Sequence, residues 1–486
     1  MSPVRCRVLV ITVAAPALLC AQAALPPADS RPSVRASIDS LKPAAKRAPT
    51  EYRNLRFDEV WTHRSDGDWS DRLKAMPLAP HLTLSIGGQL RAREEIAQRF
   101  NFTDVGDEYG QSRTLIDADL QAGVATGLHA RLFAEFRDAQ SYGRALPGGT
   151  RPNDGDRSEL QNLFVDVGWK RSFVRHGRQE IVSGRERLLG VPDWSNTRRG
   201  SQGTRMVLVR GAVSLEAIEF RPMIIRLSEL NRPDSTTRVR VVMLGNAPGF
   251  KSSSHLVPSV WQAYHFDQRV AAASVTQRVT SGGRVQWSVG NSTPGARRYG
   301  IETEAAVQRG TAGSRAVRAW FWTTELSTQF RNLHGAPSVA IGLEVASGDA
   351  SPSDDIAGAF NALYPAAHAH GGYADVFGRA NARLAQVIST WDPFLRLNLR
   401  GAFYHYDRLR LSDGVYNKQN TLLRAAGTSS ARHAGDELDL TASGALSRHL
   451  KVIAGYAWIE PGAFLRRSAG GARSSRWGFV GSTYTF

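Results

Sequence analysis

The sequence predicts an antiparallel β-barrel set in a membrane. Three observations point there: an N-terminal export signal, period-two segments along most of the chain, and an aromatic strand at the C-terminus. In the signal, "MSPVRCR" contributes Arg5 and Arg7, "VLVITVAAPALLC" is an apolar run of 13 residues, and "AQA" ending at Ala23 is an A-x-A cleavage step. Together they predict a secretory signal peptide over residues 1–23. The run is too short for a permanent membrane helix, and no later stretch reaches the ~18 apolar residues that such a helix needs. Bulky Leu19 argues against a lipoprotein reading of Cys20. Cleavage removes Cys6 and Cys20, so the mature chain is expected to carry neither a disulfide nor a Cys-ligated metal.

After the signal, "ALPPADSRPSVRASIDSLKPAAKRAPT" is rich in Pro, Ala and Ser and has no apolar period. Residues 24–80 are therefore expected to form a flexible periplasmic extension, and residues 81–486 the barrel. In "LIDADLQAGVA", Ile116, Ala118, Leu120, Ala122 and Val124 share one face, opposite Asp117, Asp119 and Gln121. "LHARLFAEFR" sets Leu128, Leu132 and Phe136 against Arg131, Glu135 and Arg137. "FLRLNLR" sets Leu395, Leu397 and Leu399 against Arg396, Asn398 and Arg400, and "ELDL" presents Glu437 and Asp439. Alternation marks strands, but a β-sandwich alternates as well. Arginines and acids mixed on the polar faces favour a wet lumen. Aromatics recurring near strand ends (Trp169, Trp320, Trp322, Trp391, Tyr404, Tyr406, Trp458, Trp477) favour interfacial girdles.

The terminal "WGFVGSTYTF" would be an aggregation-prone edge if it were solvated. In a closed barrel it pairs with the first strand, and lipid covers Tyr484 and Phe486. A last strand ending in Phe also resembles the signal that outer-membrane barrels present to their assembly machinery. The expected location is the outer membrane of a Gram-negative bacterium.

The net charge is +17, from 61 Lys+Arg against 44 Asp+Glu. Either a basic surface meets anionic lipid headgroups, or arginines line a route for an anionic ligand. Nucleic acid is excluded as a partner for an exported chain without a binding motif.

Particular blocks carry a family likeness. "GRQEIVSGRERLLGVPDWSN" (Gly177–Asn196) and "SGDASPSDDIAGAFNALYPAAHAHGGYADVFGRAN" (Ser347–Asn381) resemble hallmark segments of the alginate export family of outer-membrane proteins. "YRNLRFDEVW" with "LKAMPLAPHLTLSIGGQLRAREE" is similar to that family's entry into its first strand, and "GDELDLTASGALSRHLKVIAGYAWIEPGAF" to its last strands. The resemblance implies a monomeric barrel of about 18 antiparallel strands with an electropositive lumen, and a polyuronate such as alginate as permeant. After "DWSN" the chain departs from the family's Phe-Asp-Gly-like step. "TRRGSQGTR" adds Arg198 and Arg199 and loses the acid.

The candidate pathway residues are Arg178, Glu180, Arg185, Arg187, Asp193 and Asn196 in the first block, with Arg396, Asn398, Arg400, Glu437 and Asp439 on strands. Guanidinium groups bind carboxylates bidentately, and interspersed acids keep the binding weak enough for release. For any one of these residues the alternative is an Arg–Glu brace within the wall. Trp194 is assigned to packing. Asp349, Asp354 and Asp355 lack the spacing of a calcium loop, and His368 and His370 lack a third metal ligand, so no metal or cofactor is expected. No motif organises a catalytic constellation, and an enzyme is not expected. The expected function is passage of an anionic polysaccharide or oligosaccharide, with periplasmic export proteins as partners. The alternatives are a general anion-selective porin, a carbohydrate-active enzyme and an adhesive barrel.

Overall fold

The structure is a computed structural model that describes residues 52–61, 67–124, 126–146, 149–227, 229–250, 258–290, 297–351 and 353–486. The signal peptide lies outside these residues. Eighteen antiparallel strands close into one barrel. In chain order they are β1 (Leu82–Gln98), β2 (Asp107–Gly123), β3 (Leu128–Tyr142), β4 (Asp156–Trp169), β5 (Ser172–Gln179), β6 (Ser201–Arg210), β7 (Val213–Ile224), β8 (Thr237–Asn246) and β9 (Val260–Ala271). Then follow β10 (Val275–Val289), β11 (Arg298–Ala312), β12 (Arg315–Gln329), β13 (Ser338–Ala346), β14 (Ala382–Phe394), β15 (Leu397–Arg408), β16 (His433–Ala445), β17 (Leu450–Pro461) and β18 (Ser475–Thr485).

Closure is made by β1 pairing with β18, from Gln89↔Thr485 to Gln98↔Arg476. The C-terminal strand therefore has no free edge, which is the only arrangement that satisfies every backbone group against lipid. Tyr484 is in register with the exposed Leu90, on the lipid face. The Phe486 ring packs against Trp69, 5.4 Å between centroids.

The wall follows the alternation. Leu128, Leu132 and Phe136 of β3 face outward, whereas Phe133 between them is fully enclosed. Trp169, Trp320, Trp322, Trp391 and Trp458 are 39–56% exposed on the outer face, as girdle residues should be. Tyr404, Tyr406 and Trp477 are not girdle residues. They point inward and are buried at 2%, 3% and 8% exposure.

The two barrel ends differ. One carries both the C-terminus and short connections, such as 170–171, 211–212 and 395–396. The other carries the long segments 180–200, 347–381 and 409–432. The three longest connections thus share the end opposite the C-terminus, in keeping with outer-membrane barrels, whose longer loops gather at one end.

Part of the segment expected to be a flexible extension is packed. Residues 52–61 and 67–80 form two 3₁₀ turns, Arg56–Asp58 and Ser70–Leu73, and a short strand Met76–Ala79 paired with β1. Phe57 packs edge-on against Phe133 and Phe164 inside the barrel. The Arg56 side chain is fully buried and reaches Glu59, Asp117 (3.0 Å) and the Phe486 carbonyl (3.0 Å). Lys74 donates to the Ile86 carbonyl at 2.8 Å, and burial beside Arg56 pushes its ammonium down to about 8. The chain ahead of the barrel is thus bound to its terminal mouth by buried charge. Residues 24–51 lie outside the described residues.

Candidate functional site

The lumen is filled by two loops. Segments 180–200 and 347–381 join each other through a parallel bridge at Leu189↔Tyr364, flanked by Gly190 N–H to Tyr364 O and Tyr364 N–H to Leu188 O, each 2.9 Å. Their apolar side chains have a receptive wall. Ile181, Leu188, Leu189 and Phe360 pack on inward-facing Ile218 and Phe220 of β7, Val239, Val241 and Met243 of β8, and Phe266 of β9. A wet lumen would not place Val, Met and Phe on these faces. They are apolar because the loops cover them.

Acids on β11 and β12 fix the charged part of the 180–200 loop. Glu302 accepts from Arg185 (3.3 Å), Arg187 (2.8 Å) and Arg284 (3.0 Å), Glu304 accepts from Arg187 (2.8 Å), and Glu325 from Arg185 (3.0 Å). Arg379 ties the second loop in, donating to Glu344 at 2.6 Å and to the Arg187 carbonyl at 2.9 Å. His370 meets the Arg185 carbonyl at 2.6 Å, and burial among these arginines holds its imidazole well below its usual range.

Glu437 and Asp439 hold the end of the 347–381 loop, accepting from the Ala374 and Tyr373 backbone N–H groups at 2.8 and 3.0 Å. The approach requires Gly371 and Gly372 at φ +61° and +83°. A Cβ at position 372 would stand 2.3 Å from the Glu437 carboxylate. From the 409–432 loop, Lys418 donates to the His370 and Gly372 carbonyls at 2.5 and 2.9 Å.

Beside the loops, a cavity of about 320 Å³ remains, lined by residues of β1, β14, β15, β18 and both loops. Arg91, Arg93, Asp193, Trp194, Tyr373, Asn398 and Arg400 face it. Arg400 donates to the Tyr404 hydroxyl at 2.7 Å, and its Nε and Nη1 make no hydrogen bond among the described residues. Asn398 donates to Asp392 at 2.8 Å. Arg91 bonds the carbonyls of Asp193 (2.5 Å) and Ser195 (3.2 Å) and the Asn196 amide oxygen (3.1 Å), and forms no ion pair among the described residues. Asp193 accepts from Arg113 at 2.8 Å. Burial alone would raise its carboxyl, but Arg113, Arg198 and Arg91 overcome that and hold it well below the usual carboxylate range.

Trp194 has the packing role expected for it. It stacks on His368 at 4.2 Å, meets Phe479 edge-on at 4.6 Å and carries the Arg93 guanidinium at 3.8 Å.

The structure redistributes the sequence candidates. Asn398, Arg400 and Asp193 line the open cavity. Arg185, Arg187, Glu437 and Asp439 are inside the barrel but engaged in holding loops. Glu180 is buried on Arg198 at 2.8 Å, and Asn196 donates to the Ser112, Gln140 and Asp154 carbonyls. Two candidates lie elsewhere. Arg396 is in the 395–396 turn at φ +74°, bonded to the Leu446 carbonyl at 3.2 Å. Arg178 sits at the loop-bearing end of β5, where its guanidinium is engaged by the buried Glu159 and the Asn231 carbonyl and does not line the open cavity. The two histidines act as loop residues, and Asp349 and Asp354 pair with Arg315 at 2.7 and 3.5 Å. Sequence reading missed Arg91, Arg93 and Arg113, although "LRARE" alternates basic residues with apolar ones at the right period.

Comparison with solved structures finds the same fold at low identity. Pseudomonas aeruginosa OccK8 (OprE) matches with a TM-score of 0.57 and 10% identity, covering 83% of this chain and 98% of that one. P. aeruginosa OccK2 (OpdF), solved in complex with glucuronate, matches at 0.55 and 13%, covering 82% and 98%. P. aeruginosa OccK11 (OpdR) matches at 0.53 and 12%, covering 82% and 96%. No curated protein sequence matches. The model of the alginate export family matches residues 82–479, from the first residue of β1 into β18. The chain belongs to the alginate export family, and its barrel is of the outer-membrane type.

Proposed function

We propose that the protein is an outer-membrane channel for an anionic polysaccharide or oligosaccharide, whose carboxylates engage arginines in the open part of the lumen. The observation that carries this reading is Arg400. Arg400 lines the cavity and has no acid within ion-pair distance among the described residues, its one hydrogen bond there going to the Tyr404 hydroxyl. A carboxylate arriving beside this guanidinium meets a positive charge that no protein acid already neutralises. Arg91 and Arg93 on β1, across the cavity, offer a second cationic surface, with Arg93 partly offset by Glu95 at 2.6 Å. Asp193 beside them limits retention, because a passing carboxylate meets attraction and repulsion within one cavity. Family membership supports a polymeric permeant of the alginate class.

The test is block of single-channel current by a polyuronate, set against a neutral polysaccharide of equal length. The proposal expects block by the charged polymer alone. Equal block by both, or by neither, contradicts it. A second reading, uptake of small anions, draws on the shared fold of a barrel solved in complex with glucuronate. It predicts block by monomeric uronate at a concentration no higher than the polymer requires.

A further inference from the structure

A second site lies on the opposite side of the wall from the cavity. At the loop-bearing end of β15 and β16, His405, Asp407, His433 and Asp436 form a cluster on the outer face. The register explains it. His405 pairs with Asp436 and Asp407 with His433 across the two strands, and a register shift between Tyr406 and Asp407 brings His433 and Asp436, three apart in sequence, onto one side. That side is outward, because Phe403 and Leu438, paired directly below, are 46% and 41% exposed.

The two imidazoles stack with centroids 4.7 Å apart and planes 17° apart. Asp436 stands between them, with Oδ1 2.7 Å from His405 Nδ1 and Oδ2 3.1 Å from His433 Nε2. His433 Nε2 is shielded from solvent and makes no hydrogen bond among the described residues. One ligand atom from each of His405, His433 and Asp436 falls within a 4.8 Å group. Behind His405, its Nε2 lies 3.5 Å from Asp407 Oδ1, and Asp407 is itself paired with Arg383.

From this geometry we infer a site for a divalent transition metal of the zinc class, with His405, His433 and Asp436 as ligands. Two imidazoles and one carboxylate are a borderline donor set suited to zinc, and three protein ligands leave the fourth tetrahedral position to water. Asp407 is a positioning residue. Without the ion, His405 Nδ1 hydrogen-bonds Asp436. An arriving ion displaces that proton, and Asp407 then favours the tautomer with the proton on Nε2, the arrangement in which a carboxylate orients a metal-binding histidine. Arg383 neutralises Asp407 and so discourages it from competing as a ligand. Asp407 and His433 flank the 409–432 loop, so a bound ion would clamp that loop's base. Lys418 of the same loop reaches into the lumen to hold the 347–381 segment.

The test uses tag-free barrel in detergent, titrated with zinc in a calorimeter and with cobalt(II) as a spectroscopic probe. The expected result is one saturable ion per barrel and a tetrahedral cobalt spectrum. Both should be lost in the His405→Ala/His433→Ala double variant, and affinity should fall about 10-fold in Asp407→Asn. Zinc should also raise the melting temperature of the native barrel and leave that of the double variant unchanged. If the double variant does not refold, the single His433→Gln change replaces it. Equal zinc binding by native and variant barrels, or no saturable binding by the native barrel, overturns the inference.

Discussion

The wall at β11–β12 and the wall at β14–β15 with β1 both carry charge into the lumen, but they use it differently. At β11–β12 every arginine of the 180–200 loop that enters the cluster meets an acid: Glu302 alone receives Arg185, Arg187 and Arg284. At β15 and β1, Arg400 meets a tyrosine hydroxyl and Arg91 meets carbonyls, and neither pairs with a carboxylate among the described residues. Buried charges that neutralise one another act as a brace, because separating them costs about 3–5 kcal/mol. A guanidinium at the cavity wall whose charge no carboxylate neutralises is a binding group. Arginine content alone therefore does not define a pathway. What separates the two walls is whether the counter-charge is already present in the protein.

The contrast can be broken most forcefully at the brace. Glu302→Gln leaves Arg284 without a carboxylate and removes one partner each from Arg185 and Arg187, a loss of about 3–5 kcal/mol at that wall. The 180–200 loop should then become cleavable by trypsin after Arg185 or Arg187 in the folded barrel, and channel conductance should rise. A protease-resistant loop of native conductance would show that the apolar wall at β7–β9 holds it unaided.

A smaller effect is expected at the open wall. Arg400→Gln should leave the barrel folded and protease-resistant while weakening polyuronate block about 10-fold, equivalent to ~1.4 kcal/mol. Measuring the block constant in both proteins checks this.

Acidification should act between these extremes and the next. Burial depresses the imidazoles of His368 and His370 in the folded loop. The unfolded loop therefore takes up protons first as pH falls. Their contribution to packing is present above about pH 6.5 and is lost below it. Current noise and trypsin sensitivity should increase from pH 7.5 to 5.5. His370→Gln should flatten that dependence.

The smallest effect belongs to Arg396→Gln, a turn residue outside the lumen. Ion selectivity should be unchanged and stability should shift by no more than about 0.5 kcal/mol. A changed reversal potential would place its charge on the conduction route after all.

How much of this was legible follows from what sequence periodicity encodes. Alternation in β2 and β3 fixed which residues face lipid, because neighbouring side chains in a strand must point opposite ways. The same rule misplaced Arg396. The apolar alternation of "FLRLNLR" runs straight through a turn, whose own signals, Asp392 and Pro393, stand just ahead of it. Arg178 stands in the same charged run as Arg185 and Arg187, and its short-sequence context does not reveal that Glu159 and Asn231, from other strands and loops, take up its donors. The loop segments announced themselves by composition, but their role inside the barrel did not. Arg187 and Glu302 are 115 positions apart, and only the closed sheet brings them to 2.8 Å. Likewise, the inward-facing Val239, Val241 and Met243 follow no lumen rule until the loop that covers them is in place.

The central claim is that unpaired arginines in the open cavity select for carboxylate-bearing permeants. It is tested most directly by the single-channel reversal potential in a salt gradient, recorded for the native barrel and for Arg400→Gln side by side. The account predicts anion selectivity in the native channel and a shift toward neutrality in the variant. A native channel that prefers cations, or a variant with the native reversal potential, would contradict it.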